Sequence, residues 1–276
     1  MTEKLSLRKF TLMATLRCTL RCELCSESVP MDKPGDDLSL DMAKDILTAF
    51  FYVIDHVEIL HMSGGETFLH PTLPEIIEAC MKYRSQFDRF MIFTNSTVPI
   101  SEALLDTLKK HKDCVVVHAS DYNLTPDITD DVLGKLEDAG INVRRLHYHG
   151  DNQDFGGWVD YGGFEFRNLS PEALAIQFST CAITSNMRGN WRTRDGKLFW
   201  CTRVHRGYEL GLIPTDGKDF VDILDASTTR DEKRKKFKKI ANAKYIDACN
   251  YCSGDCGTEE ANKRFSAAKQ AKGGEQ

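Results

Sequence analysis

In the first half of the chain, short apolar runs alternate with segments in which apolar residues recur at the period of a helix. The runs have the length of buried strands, and they are Phe10–Ala14, Val57–Met62, Phe90–Phe93, Cys114–Ala119 and Ile141–Tyr148. The segments between them are expected to be helices, at Leu40–Ile54, Leu73–Lys82, Ser101–Lys110 and Asp130–Asp138. Ser39 and Ser101 are expected N-caps, and Gly140 is an expected helix stop. This alternation predicts an α/β fold with a parallel sheet or an open barrel.

Polar or small residues follow the first four expected strands. They are Cys18, then Ser63 to Glu66, then Thr94 with Asn95, and then Ser120 with Asp121. In parallel α/β folds the chemistry lies at the carboxyl ends of the strands. We therefore expect an active site at this rim.

Beyond about residue 150 the pattern becomes irregular. The segment Asp154–Asn168 is rich in glycine and aromatic residues and shows no period, and the position of a sixth strand stays open. Trp191–Cys201 is expected to be a hairpin that turns at Asp195 and Gly196. The basic stretch Arg230–Lys244 is expected to be a solvated helix face.

Composition and charge exclude several classes of protein. Hydrophobic residues make up 41% and aromatic residues 9%, which excludes a disordered or collagen-like chain. The net charge of −5 argues against binding nucleic acid through bulk charge. The first 18 residues lack a signal peptide, and the most apolar run, Ile46–Ile54, is about half of the ~18 residues that a membrane span needs. A cytoplasmic protein that binds neither nucleic acid nor a membrane is expected.

The chain has ten cysteines, which in a reducing compartment indicate metal or redox chemistry. Cys80 and Cys114 lie in apolar surroundings and are expected in the core. The remaining eight form two groups, one early and one late in the chain.

The early group is Cys18, Cys22 and Cys25, with the spacing C-x3-C-x2-C directly after the first strand. Structural zinc usually takes four protein ligands. This motif resembles that of the radical S-adenosylmethionine (SAM) superfamily, and the turn from Gly64 to Glu66 resembles its second hallmark. Leu24 departs from the family pattern, which usually has an aromatic residue before the third cysteine.

This resemblance implies a partial (β/α)6 TIM-like barrel and a set of site residues. The three cysteines would hold a [4Fe–4S] cluster whose open iron binds SAM, and a reductant such as flavodoxin or ferredoxin would supply electrons. Gly64 and Gly65 would let the backbone approach the methionine group of SAM, and Glu66 would accept from its ammonium. The further residues expected to contact SAM are Ser63, Thr94, Asn95, Ser120 and Asp121.

The late group resembles the C-terminal extension of the SPASM and twitch subfamilies. The five cysteines are Cys181, Cys201, Cys249, Cys252 and Cys256, fewer than in the full SPASM pattern. The twitch form, a hairpin plus a helix with one auxiliary [4Fe–4S] cluster, fits better, although a structural zinc site is an alternative. The resemblance implies Cys181, Cys201, Cys249 and Cys252 as the ligands, and Cys256 would replace one of them or be a free thiol near the substrate. The implied domains are a barrel at 1–178, an auxiliary-cluster domain at 179–262 and a frayed tail at 263–276.

The implied activity is hydrogen abstraction from a small polar substrate such as a sugar or an aminocyclitol, which would then be oxidised or epimerised. The candidate bases are His147, His149 and Asp121, and Cys256 is the candidate hydrogen donor for epimerisation. Trp158 and Tyr161 are candidates for stacking on a sugar ring. A peptide-modifying maturase is an alternative, which the short segment before Cys18 weighs against. A non-catalytic iron–sulfur or zinc protein is a second alternative.

Overall fold

Five parallel strands alternate with four helices in the first half of the chain, as the hydrophobic pattern predicts. The computed structural model describes residues 4–31, 37–214, 217–256 and 263–271. The strands are β1 (Ser6–Thr15), β2 (His56–Gly64), β3 (Phe87–Thr94), β4 (Val115–Asp121) and β5 (Asn142–His147). The helices are α1 (Leu40–Val53), α2 (Leu73–Met81), α3 (Glu102–Lys110) and α4 (Pro126–Asp138). Each strand pairs in parallel with the next, so the predicted α/β class is confirmed.

The helix boundaries follow the capping residues of the sequence. The hydroxyl of Ser39 accepts from the backbone N–H of Met42 at 3.2 Å, and that of Ser101 accepts from Leu104 at 3.3 Å. Gly140 has a φ of +72° just after α4, a conformation that favours glycine. Local side-chain chemistry therefore ends these elements where the sequence predicts.

The described part of the second half of the chain adds four helices and three short strands. The helices are α5 (Pro171–Thr180), α6 (Ala182–Ser185), α7 (Thr202–Glu209) and α8 (Arg230–Ala241). The strands are β6 (Trp191–Thr193), β7 (Lys197–Phe199) and β8 (Phe220–Asp222). The strands β6 and β7 form the predicted hairpin, and Gly196 takes a φ of +89° in its turn. The complete sheet has the order β5-β4-β3-β2-β1-β6-β7-β8.

The sixth parallel strand lies elsewhere than a (β/α)6 barrel requires. It is β6, and it pairs with β1, with Phe10 opposite Trp191, instead of extending the sheet beyond β5. Within the described residues, Asp154–Asn168 contains a single short 3-10 turn at Asp154–Gly156 and no strand. The barrel part described is thus five strands with four helices, and the hairpin extends the open sheet beyond β1. The hairpin shares the barrel's sheet, so the expected boundary at 178/179 crosses a continuous hydrogen-bonded structure.

The segment expected to be a frayed tail is partly paired. Phe265 forms a bridge with Trp158, and Gln270 forms one with Cys22. The N–H of Glu23 also donates to the carbonyl of Lys269 at 2.8 Å. The prediction is wrong for 263–271, because backbone pairing with the cysteine loop compensates for the lack of periodic apolar residues; 272–276 lie outside the described residues.

The basic stretch at α8 is only partly solvated. Lys233 and Arg234 are buried, and Arg230 and Arg234 pair with Asp55 at 2.8 and 2.9 Å. These contacts fix α8 beside the end of α1. Lys235 and the other exposed basic residues form the expected solvated face.

Cys80 and Cys114 are buried, as predicted. Across the described ranges, no helix has both the length and the apolar character that crossing a membrane requires.

The end of β2 packs directly against the loop that follows β1. The N–H of Gly65 donates to the carbonyl of Thr15 at 2.8 Å, and that of Glu66 donates to the carbonyl of Arg17 at 2.7 Å. A Cβ atom on Gly64 would lie 2.1 Å from the Thr15 oxygen, and one on Gly65 would lie 2.2 Å from the Arg17 oxygen. Both glycines are required by this backbone contact, a reason that the sequence interpretation, based on the approach of SAM, missed.

We expect Gly65→Ala to lower the free energy of unfolding by about 1–3 kcal/mol, because backbone must move to admit the methyl group. Gly134→Ala is the matched control. A Cβ there meets nothing within 4 Å, so alanine should stabilise α4 by roughly 0.5–1 kcal/mol. Denaturant unfolding of both variants measures the difference. Equal stability of the two variants would contradict the proposed contact.

Candidate active site

A cavity of about 510 Å³ runs along the inner face of the sheet and opens at the strand ends. Cys18, Cys22 and Cys25 all line it. The predicted convergence of these three side chains on one cavity is therefore present in the fold. Burial raises the pKa of Cys18 to about 11 and that of Cys25 to about 12. The cysteines would hence be protonated thiols without a cation, and binding a metal would release their protons.

Nitrogen donors surround two of these sulfur atoms. The amide Nδ2 of Asn95 lies 3.6 Å from Cys18 Sγ, and the backbone N–H of Leu20 lies 3.4 Å from it. Gln270 Nε2 lies 3.4 Å from Cys22 Sγ. Such N–H donors stabilise thiolates bound to iron–sulfur clusters. Three thiols with these donors, on an open cavity, fit a cluster that keeps one iron free.

Six of the residues expected to contact SAM also line the cavity. They are Ser63, Gly64, Gly65, Thr94, Asn95 and Ser120. They come from the ends of three neighbouring strands, as the alternation of strands and helices predicts. Their contact with SAM stays a prediction.

Glu66 is placed differently from the expectation. Its side chain is fully buried and is not part of the cavity wall. The carboxylate accepts from the N–H of Phe68 at 2.9 Å, from Thr94 Oγ1 at 2.7 Å and from the N–H of Asn95. Burial raises its pKa to about 7, while these hydrogen bonds lower it. In this structure Glu66 holds the end of β3 instead of presenting an oxygen to a ligand.

Asp121 and His147 are also displaced from the cavity. Asp121 is buried beside Arg145 at 2.8 Å and His149 at 3.2 Å, and none of these three residues lines the cavity. The ligand atoms of Asp121, His147 and His149 lie within 4.8 Å of one another. Side chains alternate between the two faces of a strand, so a strand-end residue has an even chance of pointing away. The expected roles of Asp121 with SAM and of Asp121 and His147 as bases are not supported by this placement.

Their strand neighbours face the cavity instead. His118 and Ser120 line it from β4, and Arg144 lines it from β5. Lys9 on β1 and His61 on β2 line its deeper part. The sequence interpretation missed these residues, although a charged or imidazole side chain within an apolar strand run was a usable signal.

The late cysteines form a second, separate cluster. Cys181, Cys201, Cys249 and Cys252 line one small cavity of about 30 Å³. Burial raises the pKa of Cys201 to about 12. Four convergent thiols suit either zinc or an iron–sulfur cluster. The four ligands expected from the resemblance are thus brought together.

Cys256 lies beside this cluster and outside both cavities. Its thiol donates to the carbonyl of Gln177 at 3.1 Å and also contacts Cys181. This contact lowers the pKa of Cys181 below its ordinary value. Its expected role as a hydrogen donor to substrate is not supported, because the chain around it packs against α5, away from the large cavity.

The two aromatic residues expected to stack on a sugar ring lie in two different places. Trp158 and Phe155 line the large cavity, whereas Tyr161 lines a neighbouring pocket with Cys22 and Arg203. Trp158 stands edge-on to Tyr122 with ring centroids 5.7 Å apart. An aromatic wall therefore flanks the cysteines on one side.

Comparisons with known proteins agree with this geometry. Residues 12–145 match the model of the Radical SAM superfamily. No curated protein matches the chain by sequence.

Among solved structures, anSMEcpe with bound AdoMet is similar over 93% of this chain and 93% of its own, with 14% identity and a TM-score of 0.53. BtrN in complex with AdoMet and 2-DOIA is similar over 96% of this chain and 99% of its own, with 16% identity and a TM-score of 0.54. At this identity the likeness concerns the fold, and it extends across nearly the whole chain.

We expect Glu66→Gln to lower the free energy of unfolding by about 1–3 kcal/mol. All three partners of the carboxylate are donors, so the amide nitrogen would face an N–H or O–H group. Glu58→Gln, an exposed change on β2, the strand that precedes Glu66, is the control. Thermal unfolding compares the two variants, and equal melting temperatures would show that Glu66 does not hold the loop.

The same residue predicts a pH effect. The pKa of Glu66 is raised from 4.5 to about 7 in the folded chain, so its proton binds more tightly there than in the unfolded chain. Its contribution favours folding at low pH and is lost as the pH rises through about 7. The stability of the wild type relative to Glu66→Gln should therefore fall between pH 5 and pH 7. A difference that is constant with pH would contradict the raised pKa.

Proposed function

We propose that this chain, which carries a radical SAM domain, is an enzyme that cleaves SAM reductively and oxidises a small polar substrate. The observation that carries the proposal is the convergence of Cys18, Cys22 and Cys25 on one large cavity beside Gly64 and Gly65. The three cysteines would hold a [4Fe–4S] cluster. When bound, the cluster supplies the electron that splits SAM into methionine and a 5′-deoxyadenosyl radical, which abstracts a hydrogen atom from the substrate.

The chain's own residues would bind and enclose the reactants. The backbone at Gly64 and Gly65, with Thr94, Asn95 and Ser120, would bind SAM at the strand ends. Trp158 and the other aromatic side chains of the wall would exclude water from the reacting atoms. Gln270 and the C-terminal segment, paired with Cys22, would cover the cluster from the other side.

Oxidation is preferred to epimerisation because of the position of Cys256. A thiol that returns a hydrogen atom must reach the substrate, and Cys256 is outside the cavity that the early cysteines line. The thiols of the cavity wall, within the described residues, are those of the early group, which the cluster would use. Oxidation needs an electron acceptor instead, and the late cysteines would provide it as an auxiliary [4Fe–4S] cluster of the twitch type.

A peptide substrate is the second candidate. The solved structure of anSMEcpe with bound AdoMet and the Cp18Cys peptide is similar over 94% of this chain and 93% of its own, with a TM-score of 0.52 and 13% identity. A barrel of this kind thus accommodates a peptide in another protein. A small-molecule substrate is preferred because basic side chains, among them Lys9 and Arg144, line the cavity away from the strand ends.

We expect the anaerobically reconstituted protein to hold iron and sulfide and to release 5′-deoxyadenosine from SAM under a strong reductant. Cys25→Ala should abolish this release, since the early cluster then lacks a ligand. Cys114→Ala, a change at a buried cysteine far along the chain from either group, should leave it unchanged. Product analysis by chromatography and mass spectrometry measures the release. A protein that binds zinc alone and leaves SAM intact would refute the enzyme proposal.

The auxiliary cluster is tested by iron content. Cys201→Ala should reduce the reconstituted iron from about eight to about four atoms per chain, because a [4Fe–4S] cluster of four cysteines would be lost. The variant should still release 5′-deoxyadenosine. Cys256→Ala should retain the full iron content, since Cys256 lies beside the four thiols and not among them. Zinc at this site in the wild type, with iron at the early site alone, would contradict an auxiliary cluster.

A further inference from the structure

The part of the large cavity away from the strand ends, called its deep end here, is basic; Lys9 is half-buried there, whereas Arg8 and Arg144 are exposed. SAM binding at the strand ends does not account for this charge. Four basic residues line the cavity, Arg8, Lys9, Arg144 and Arg192, against one acidic residue, Glu27. Lys9 comes six residues before the end of β1 at Thr15, which is about 20 Å of extended strand. The group that faces Lys9 is therefore expected to belong to something other than SAM.

The surroundings of Lys9 disfavour its charged form. Burial, followed by the nearby charge of Arg192, lowers the pKa of its ammonium group to about 8. Its Nζ lies 5.5 Å from the centre of the Phe93 ring, and it has no hydrogen bond or ion pair with any described residue. The side chain is half-buried, and Glu27 acts on it only through longer-range charge. An ammonium group that lines a cavity without a hydrogen-bonded counter-ion is suited to bind an anionic group of a ligand.

The acidic residue of the cavity does not neutralise Lys9. Glu27 forms an ion pair with Arg192 at 2.6 Å, and its backbone carbonyl accepts from Arg206 at 2.8 Å. Arg144 likewise has no ion pair within the part of the chain that the structure describes. The charge of the deep end is therefore positive when the cavity is empty.

His61 adds an acceptor beside this charge. The hydroxyl of Thr11 donates to Asn190 Oδ1 at 2.8 Å, so it accepts from Nδ1 of His61 at 2.9 Å. That hydrogen bond places the imidazole proton on Nδ1 and leaves Nε2 as a lone-pair acceptor. Nε2 is buried and has no partner. A hydroxyl group of a ligand would satisfy it.

We propose that the substrate is a hydroxylated small molecule with a carboxylate or phosphate group, which Lys9 binds at the deep end of the cavity while His61 Nε2 accepts from a neighbouring hydroxyl. Arg144 would add a second positive charge from β5. An aminocyclitol is disfavoured, because its ammonium group would meet Lys9. That this ligand is the substrate rests on the proposed function, whereas the existence of the anion site does not.

Binding is measured on the reconstituted wild-type protein with three sugars of similar size. The probes are glucose 6-phosphate, glucuronate and glucosamine. Each is tested for protection of Lys9 against an amine-specific reagent, quantified by peptide mass spectrometry, with the exposed Lys112 as the internal reference. Glucose 6-phosphate or glucuronate should slow the labelling of Lys9 several-fold. The sugar that protects Lys9 more strongly identifies the anionic group as a phosphate or a carboxylate. Glucosamine should leave it unchanged.

Variants separate binding from folding. In Lys9→Met the melting temperature without ligand should equal or exceed that of the wild type, because a half-buried charge without an ion pair is removed. The rise in melting temperature on adding the anionic sugar should vanish. Lys9→Arg should keep part of that rise. If Lys9→Met does not fold, circular dichroism will show it, and the labelling of the wild type and the response of Lys9→Arg still decide.

The inference is overturned if neither anionic sugar protects Lys9 of the wild type, or if glucosamine protects it equally. This outcome is independent of the proposed function. Normal release of 5′-deoxyadenosine without anion protection would reject the anion site alone. Anion protection in a protein that leaves SAM intact would reject the radical SAM activity and keep the site.

Discussion

The contact between the end of β2 and the loop after β1 is the constraint on which the site depends. Two backbone hydrogen bonds, from Gly65 and Glu66, hold the loop close to the end of β2. A side chain on Gly64 or Gly65 would collide with the loop. Glu66 then binds Thr94 and Asn95 at the end of β3. Since Asn95 in turn contacts Cys18, a short chain of hydrogen bonds connects three strand ends to the first cysteine.

This connection fixes the loop that carries Cys18, Cys22 and Cys25 and so preorganises the three cysteines as a ligand set. The bonds from Thr94 and Asn95 to Glu66 are buried, and breaking one leaves a polar group unsatisfied. The C-terminal segment completes the enclosure by pairing with the cysteine loop. The candidate site is thus assembled from segments more than 240 residues apart, Cys22 and Gln270 being 248 positions apart in sequence.

The cavity combines two environments along its length. Near the strand ends it is lined by thiols, glycines and aromatic rings, and at the deep end by basic groups. The ion pair of Glu27 with Arg192 crosses between the cysteine loop and β6, so the hairpin contributes to the same cavity as the barrel. Because a buried ion pair gives little net stability, its retention is better explained by the shape and charge that it gives to the cavity.

The sequence by itself determined the α/β class, the order of the first five strands, the helix caps and the two groups of cysteines, because these depend on local periodicity and on motif spacing. The structure decided which side chains face the cavity. Asp121 and His147 end β4 and β5 but point away from the cavity, whereas His118 and its register partner Arg144 line it. It also placed β6 beside β1 and Cys256 outside the cavity. The face of the sheet on which a side chain lies, the order of the strands and the paths of the connecting segments depend on long-range packing. Local sequence patterns carry little information about such packing.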